Sequence, residues 1–475
     1  MMKTLFLQPP SFDGYDGGAG ARYQNKREIK SFWYPTWLAQ PAALVEGSKL
    51  MDGPPHRLTF EDVAAEAKQR DLVVMHTSTP SFDQDVKFAR ALKDLKPDLK
   101  IGMIGAKVAV DPQGSLAASD AIDWVARNEF DFTCQDVARG DALADIKGIS
   151  FRNKDGAIVH NPDRAIIMDM DLLPFVTPVY ERDLRIEEYF IGYLKHPYIS
   201  FYTGRGCKSR CTFCLWPQTV GGHNYRVRSV GHVVDEVKYA LKAFPQVKEI
   251  FFDDDTLTDN LPRVEALAVE LGKLGVPWSC NAKANVPYET LKVLKNNGLR
   301  LLLVGYESGN QKILHNIKKG LLIETAKKFS KDCHALGIAV HGTFILGLPG
   351  ETRETIQESI AYAKEVNPHT MQVSLAAPYP GTFLYKQAVE NGWFEAGSQM
   401  VADSGEQIAQ LSYDHLPARE IFEAVETFYK KFYFRPSKIL DIMGEMVTDR
   451  HMMVRRLREG VEFFHFLRTR KGALA

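Results

Sequence analysis

Gly204-Arg205-Gly206-Cys207-Lys208-Ser209-Arg210-Cys211-Thr212-Phe213-Cys214-Leu215-Trp216-Pro217 sets three thiols at the spacing C-x3-C-x2-C. One short loop can wrap such a triplet around a single metal centre, and thiolates are the ligands that iron-sulfur clusters use. A [4Fe-4S] cube takes four of them, so three close cysteines with no fourth nearby leave one iron open to a substrate or cofactor. The chain holds only six cysteines, so chance explains the spacing poorly. The plain alternative is structural zinc, which wants four Cys or His ligands, commonly as two separated pairs. The nearest downstream candidate for a fourth is His223. A redox pair is a further alternative, although the motif is not an isolated C-x-x-C.

Working outward, the chain after the loop alternates short apolar runs with stretches that carry apolar residues at three- and four-residue spacing. Strands are expected near 198–203, 248–252, 276–281, 299–304, 339–345 and 370–376. Between them Val233, Val234, Val237, Ala240 and Leu241 mark one helix face, and Pro287 to Asn297 and Glu324 to Leu336 make two more helices. The fold class is α/β, with a partial (β/α)6 barrel of six parallel strands over residues 196–385.

Polar and glycine-rich segments follow the strands, at the carboxyl ends where barrels place their sites. Phe251-Phe252-Asp253-Asp254-Asp255-Thr256 follows the second strand. Three adjacent carboxylates repel if buried together, so at least one is expected to face a cation, a backbone amide or solvent. A solvated loop, or a helix N-cap by Asp255 or Asp259, is the bland reading. Gly305-Tyr306-Glu307-Ser308-Gly309 ends the fourth strand, and Gly342 to Thr352, with Gly347-Leu348-Pro349-Gly350 inside it, ends the fifth.

Residues 1–150 read as a separate domain. Strands are expected at 3–8, 71–76, 100–104 and 130–134, and helices at 60–69 and from about 83 to 95, which together predict a doubly wound sheet. Residues 151–195, with Asn161-Pro162-Asp163-Arg164 and the Pro174 to Pro178 segment, read as a linker packed along both domains. Residues 386–475 read as a helical C-terminal domain. From Arg450 to Ala475 seven Lys or Arg stand against two Glu, with Met453, Leu457, Val461, Phe464 and Leu467 at helical spacing. That basic amphipathic helix either lies on an anionic membrane surface or packs its apolar face on the core.

Composition bounds the rest. A length of 475 residues, 45% apolar, with zero net charge fits two to four domains with sizeable cores and implies no nucleic-acid partner. Three cysteines committed to one loop do not make a disulfide framework, and a thiolate cluster needs a reducing compartment. The start has too short an apolar run for a signal peptide, and no stretch approaches 18 apolar residues, so the chain is expected to be cytoplasmic and not membrane-spanning. Cys134, Cys280 and Cys333 read as small buried thiols. His223, Tyr225, Arg226 and Arg228 line the cleft or form a basic surface strand.

The triplet, the aromatic Phe213 before its third cysteine, and the segments after the second, fourth and fifth strands resemble the radical S-adenosylmethionine (radical SAM) superfamily. The resemblance implies that Cys207, Cys211 and Cys214 are the catalytic metal ligands of a [4Fe-4S] cluster whose open iron is chelated by SAM. It implies one-electron cleavage of SAM to methionine and a 5′-deoxyadenosyl radical, fed by a low-potential donor such as a flavodoxin or ferredoxin. By the same resemblance Glu307 holds the SAM ribose with Gly305 and Ser308 beside it. Gly347, Leu348 and Pro349 pass the adenine, and Asp253 and Asp254 order the methionine end or the substrate.

The N-terminal domain resembles the cobalamin-binding domain of the B12-dependent class. Ser11 to Gly20 and Trp33-Tyr34-Pro35-Thr36-Trp37 are then the segments expected against the corrin. Two departures stand out: neither His56 nor His76 sits in a DxHxxG signature, and Gly105-Ala106 replaces the usual Gly-Gly turn. Cobalamin is therefore expected without a histidine ligand from that signature, the alternative being a degenerate domain that shapes the substrate cleft. Over nearly its full length, at Tyr15 to Trp37, Asn161 to Arg164 and Lys430-Lys431-Phe432-Tyr433-Phe434-Arg435-Pro436, the chain resembles the hopanoid-biosynthesis group of this class. That implies a hopanoid lipid substrate, ring contraction of the amino sugar of a glycosylated bacteriohopanetetrol to a cyclitol ether, and peripheral contact with the inner membrane surface. Methyl transfer to an unactivated carbon is the alternative reaction, and a non-catalytic iron-sulfur or cobalamin sensor the alternative of another class.

Overall fold

The computed structural model describes residues 1–10, 12, 31–394, 407–448, 457–458 and 460–462. Of the expected corrin-contacting loop only Phe12 falls within them. The basic segment after Arg450 lies outside them but for Leu457, Arg458, Gly460, Val461 and Glu462.

The N-terminal sheet contains β1 (Thr4–Gln8), β2 (Lys49–Asp52), β3 (Leu72–His76), β4 (Lys100–Ile104), β5 (Trp124–Ala126), β6 (Ile149–Arg152) and β7 (Ile158–His160). Their order is β2-β1-β3-β4-β5-β6-β7. The first five run parallel, which requires both faces to be covered, and β1 is accordingly buried at every position. The order 2-1-3-4-5 is that of doubly wound flavodoxin-like sheets, in which ligands sit beyond the strand carboxyl ends at the β1/β3 switch point.

Two sequence expectations fail here. The strand expected at 130–134 is a helix, Asp131–Arg139, closed by Gly140 in the left-handed region, while the fifth strand is the three-residue β5. The Phe130-Asp131-Phe132-Thr133 alternation looks like a strand. Burial of Asp131, Cys134, Val137 and Ala138, however, follows the helical period. The sheet also runs past residue 150, because the hairpin β6–β7 adds two antiparallel strands and so pairs the edge of β5.

The second sheet has six parallel strands in chain order: β8 (Tyr198–Phe201), β9 (Glu249–Phe252), β10 (Trp278–Ala282), β11 (Leu299–Glu307), β12 (Ala339–Leu346) and β13 (Thr370–Leu375). Each begins within two residues of its expected position. The amphipathic helices Val230–Ala243, Tyr288–Asn296 and Ile323–Ala335 connect them where their apolar spacing predicted.

Helix Ala418–Tyr433 covers the outer strand β13. The Val373 and Met371 amides donate to the Tyr429 and Tyr433 hydroxyls at 2.8 and 3.0 Å, and Gln407 brackets both backbone groups of Leu375. The C-terminal helix thus satisfies an edge that would otherwise expose unpaired backbone. None of the described helices is long and apolar enough to cross a membrane.

Candidate active site

The cysteine loop opens and closes on a two-residue hairpin, Gly204–Arg205 against Arg226–Val227. Gly206 has φ +87° and its missing side chain lets the backbone pass the Asn224 carbonyl, so only glycine starts this loop without strain. Gln218 donates to three carbonyls of the loop, those of Cys211, Thr212 and Cys214, at 3.1, 3.2 and 2.7 Å. The Thr212 amide reaches the Ile317 carbonyl at 3.0 Å. His223 turns Nδ1 to the Cys207 and Ser209 carbonyls at 3.2 and 2.9 Å, so it ties the loop together through backbone groups.

Cys207 and Cys211 are buried, Cys214 is half-buried, and all three are free thiols. Burial pushes the Cys211 thiol up against the pull of Lys319, and burial followed by Asp255 pushes Cys214 well up. Metal-free, these two are neutral thiols that release protons on binding metal. Among the described residues no group of three or more His, Cys, Asp or Glu converges on a single-ion site. Three sheltered soft sulfur donors on one pinned loop do fit an iron-sulfur cluster.

Glu307 ends β11 with φ +63°, where the register with β12 slips between Gly305 and Glu307. This left-handed kink turns its carboxylate toward Lys319, whose Nζ lies 2.6 Å from Oε1. Burial works against the Lys319 charge, but the Glu307 carboxylate outweighs it and leaves its pKa well above the ordinary lysine value. A Cβ on Gly305 would overlap Glu307 Oε1 and stand 2.8 Å from Lys319 Nζ, so this glycine makes room for the ion pair. Lys319 was not singled out in the sequence. The signal available was its place in Lys318-Lys319-Gly320, directly after the helix Gln311–Asn316.

The acidic run divides its roles. Asp254 is fully buried and accepts from the Thr203 amide, Thr203 Oγ1 and Tyr225 Oη at 2.6, 2.7 and 2.7 Å. Its carboxylate holds the end of β8 to the cysteine hairpin. Asp253 is buried beside Asn281, whose Nδ2 is 3.4 Å away. Asp255 is the member of the run whose charge reaches Cys214. Asp259 pairs with Lys283 at 2.6 Å and accepts from the Lys208 amide.

The remaining expected contact residues also have partners within the fold. Ser308 is fully buried against Ser359 Oγ at 3.2 Å, and Phe213 packs half-buried against the core. Gly347 adopts φ +86° and its carbonyl accepts from Tyr413 at 2.9 Å. Leu348 is fully buried, and the Pro349 carbonyl accepts from Asn316 at 3.0 Å. Glu351 folds back onto the Gly347 amide, and burial pushes its pKa up to about 8. Arg226 and Arg228 are neither cleft lining nor surface strand: both guanidinia are buried on Glu129 and Glu236. Cys134, Cys280 and Cys333 are buried thiols pushed up by desolvation.

The carboxyl ends of the N-terminal strands abut this loop directly. Glu129 grips Arg226 with two bonds of 2.8 and 2.9 Å, and Asp131 grips Arg205 at 2.6 and 3.1 Å, so both arms of the cysteine hairpin are clamped to the turn after β5. Trp37 stacks on Trp216 with centroids 5.3 Å apart, and the Arg205 guanidinium lies 4.7 Å from the centre of a Trp37 ring. At the switch point Gln8 Oε1 is buried with no hydrogen-bond partner among the described residues. Gly105 has φ +122° hard against the Thr77 carbonyl, so the first glycine of the turn is obligatory, whereas Ala106 merely begins a helix.

Residues 201–363 match the radical SAM superfamily model. An uncharacterized methyltransferase of Pyrococcus horikoshii is 28% identical over 93% of this chain and 94% of its own length. The anaerobic magnesium-protoporphyrin IX monomethyl ester cyclase of Rubrivivax gelatinosus is 26% identical over 81% of this chain and 70% of its own. The radical SAM methyltransferase TsrM of Kitasatospora setae, solved with cobalamin and a [4Fe-4S] cluster, superposes with a TM-score of 0.69 at 14% identity over 97% of this chain and 99% of its own. With the cysteine loop at the carboxyl end of a six-stranded parallel sheet and a doubly wound domain clamped to it, the chain shares its fold with that structure, and residues 201–363 form a radical SAM domain.

Proposed function

We propose that this chain is a cobalamin-dependent radical SAM enzyme that transfers a methyl group to an unactivated carbon. The observation that carries the reading is the clamp of Glu129 and Asp131 on Arg226 and Arg205, which sets the ligand-binding edge of a flavodoxin-ordered domain against the cysteine loop. The methyltransferase names and the bound cobalamin among its full-length relatives and neighbours support it. When bound, the cluster supplies one electron to SAM at its open iron and cobalamin supplies a methyl carrier.

The chain's own residues do the positioning. Cys207, Cys211 and Cys214 hold the cluster, and Lys319 holds the Glu307 carboxylate turned inward, ready to accept from a vicinal diol such as the SAM ribose. The left-handed Gly347 brings backbone close to a flat base. The orphaned Gln8 Oε1 and the Thr77-Ser78 turn offer a corrin amide its partners at the switch point. No titratable residue described here can remove hydrogen from an unactivated carbon, so a radical initiator is chemically required.

The second reading is ring contraction of a glycosylated hopanoid. It rests on the resemblance carried by the Lys430 to Pro436 run, at the end of helix Ala418–Tyr433. A carbon radical beside a sugar ring oxygen can rearrange without methyl transfer. Anaerobic mass spectrometry of reconstituted protein with cobalamin, SAM, a low-potential reductant and the glucosaminyl hopanoid separates the two. A lipid heavier by one methylene, formed with S-adenosylhomocysteine, supports methyl transfer. A lipid of unchanged mass and shifted retention, formed with 5′-deoxyadenosine alone, replaces it with ring contraction.

A further inference from the structure

We infer that Thr343, Gln372 and Ser374 form a substrate wall inside the barrel, one that selects an uncharged group able both to donate and to accept hydrogen bonds. The inference rests on the radical SAM reading of the cysteine loop, which sets the reacting carbon inside the barrel, and adds the chemical class of what lies there. The direction of each side chain follows from what its strand neighbours touch. Phe344 stacks on Tyr306 with centroids 5.6 Å apart and meets Phe428 of helix Ala418–Tyr433 at 5.2 Å, so it faces the covering helices. Val373 is its register partner on β13 and shares that face. Successive strand residues alternate, so Thr343 and Ile345 on β12 and Gln372 and Ser374 on β13 point inward.

These four are half-buried, whereas Phe344 and Val373 beside them are buried. The side chains of Thr343, Gln372 and Ser374 make no hydrogen bond among the described residues. They stand together, because Thr343 pairs in register with Gln372 and Ile345 with Ser374. On its other side Thr343 pairs with Gly305, the glycine that makes room for Glu307 and Lys319. Gly305 and Thr343 are one strand spacing apart, about 4.8 Å, so the wall starts beside that ion pair. At its amino end the barrel is closed. His341 Nδ1 lies 2.7 Å from Thr370 Oγ1 and its ring packs on Tyr193 with centroids 4.2 Å apart, while Arg300 pairs with Glu249 at 2.8 Å and donates to the Tyr193 carbonyl at 2.8 Å.

The composition of the wall limits what it holds. From Leu301 to Gly305, His341 to Ile345 and Thr370 to Ser374 there is no Asp, Glu, Lys or Arg. Around it, Glu307 is already paired with Lys319 at 2.6 Å and Lys283 with Asp259 at 2.6 Å. An ion taken out of water without an opposite charge is strongly disfavoured, whereas a neutral polar group needs only its hydrogen bonds returned. Thr and Ser hydroxyls and the Gln amide each donate and accept. They match hydroxyls or an amide on the substrate. Ile345, and Leu303 in register with His341, are half-buried on the same inner face and take apolar carbon beside that group.

The test titrates octyl β-glucoside, octanamide, octyl phosphate and octylammonium, which share a short alkyl tail, into the full-length reconstituted enzyme with SAM. Each is kept below its micelle-forming concentration, and binding is followed by saturation-transfer NMR. Octyl β-glucoside or octanamide should bind about tenfold or more tighter than either ion, and the better of the two tells hydroxyl from amide recognition. Thr343→Val and Gln372→Leu should each weaken that neutral probe about three- to tenfold, with melting temperature and iron content unchanged. Gln372→Glu should shift the preference to octylammonium. The assignment is overturned if an ion binds wild type as tightly as the neutral probes, if neither neutral probe binds, or if Thr343→Val and Gln372→Leu bind like wild type or melt several degrees lower. Formation of 5′-deoxyadenosine is measured alongside. Its absence with the neutral preference intact removes the radical reading and leaves the wall, while its presence with that preference lost removes the wall alone.

Discussion

Glu307 and Glu351 show how one residue type is put to different uses. Glu307 pairs with Lys319 in a space that Gly305 leaves open. Gly305→Ala should displace that pair, weakening SAM binding about tenfold or more, the loss expected of an unpaired buried hydrogen-bonding group. Iron content and the brown absorbance should stay at wild-type levels, because the cysteine loop is untouched. A Cys211→Ala variant should do the reverse, losing absorbance and SAM cleavage while the far-ultraviolet dichroism is kept. Glu351 has no cation beside it among the described residues, and burial raises its pKa from 4.5 to about 8. Its folded form therefore holds a proton that the unfolded chain releases above about pH 4.5. Its contribution to stability is greatest in acid and falls as pH rises through the window from about 4.5 to about 8. Glu351→Gln should flatten that slope, which appears as a gap between the melting temperatures of variant and wild type that widens over this window.

At the scale of elements, residues that build strands and helices were legible where their burial was one-sided or complete. The apolar runs of β8 to β13 and the stripes of their connecting helices place the barrel from local pattern alone, because each helix buries one face on a sheet buried on both. The cysteine spacing was legible for a different reason: ligands to one centre must be close in the chain when one loop supplies them. Hidden were the elements whose character depends on distant partners. Asp131–Arg139 has strand-like alternation until Asp131 is seen as the partner of Arg205, 74 residues on. Lys319 is one lysine among many until the kink at Glu307 points at it. The role of Ala418–Tyr433 is likewise invisible in its own sequence, since its tyrosine hydroxyls act on β13. Tyr429→Phe strands the Val373 amide in a buried setting and should cost about 1–3 kcal/mol in chemical denaturation. An unchanged midpoint would mean that the edge of β13 needs no cap.

For the whole molecule the decisive contact is the clamp between domains, and it can be separated from simple stability. Replacing Asp131 by Asn leaves the buried Arg205 guanidinium only the more distant Glu129, at 3.6 Å, as a charge partner, and breaking such a pair costs up to about 3–5 kcal/mol. The lost energy alone says little, because buried pairs are poor evidence for function. The functional part is registry: Arg205 immediately precedes Gly206 and Cys207, so a shift of the first domain is passed straight to a cluster ligand. In Asp131→Asn the three cysteines and Glu307 remain, and SAM should still be cleaved. The radical, however, should form with substrate and N-terminal domain out of alignment, so 5′-deoxyadenosine per molecule of product should rise severalfold while iron content holds. The paired replacement of Arg205 and Asp131 by apolar residues restores burial without charge. If its stability recovers but the ratio stays high, the clamp orients the chemistry. If stability and ratio recover together, apolar packing across the interface is enough, and the pair serves the fold alone.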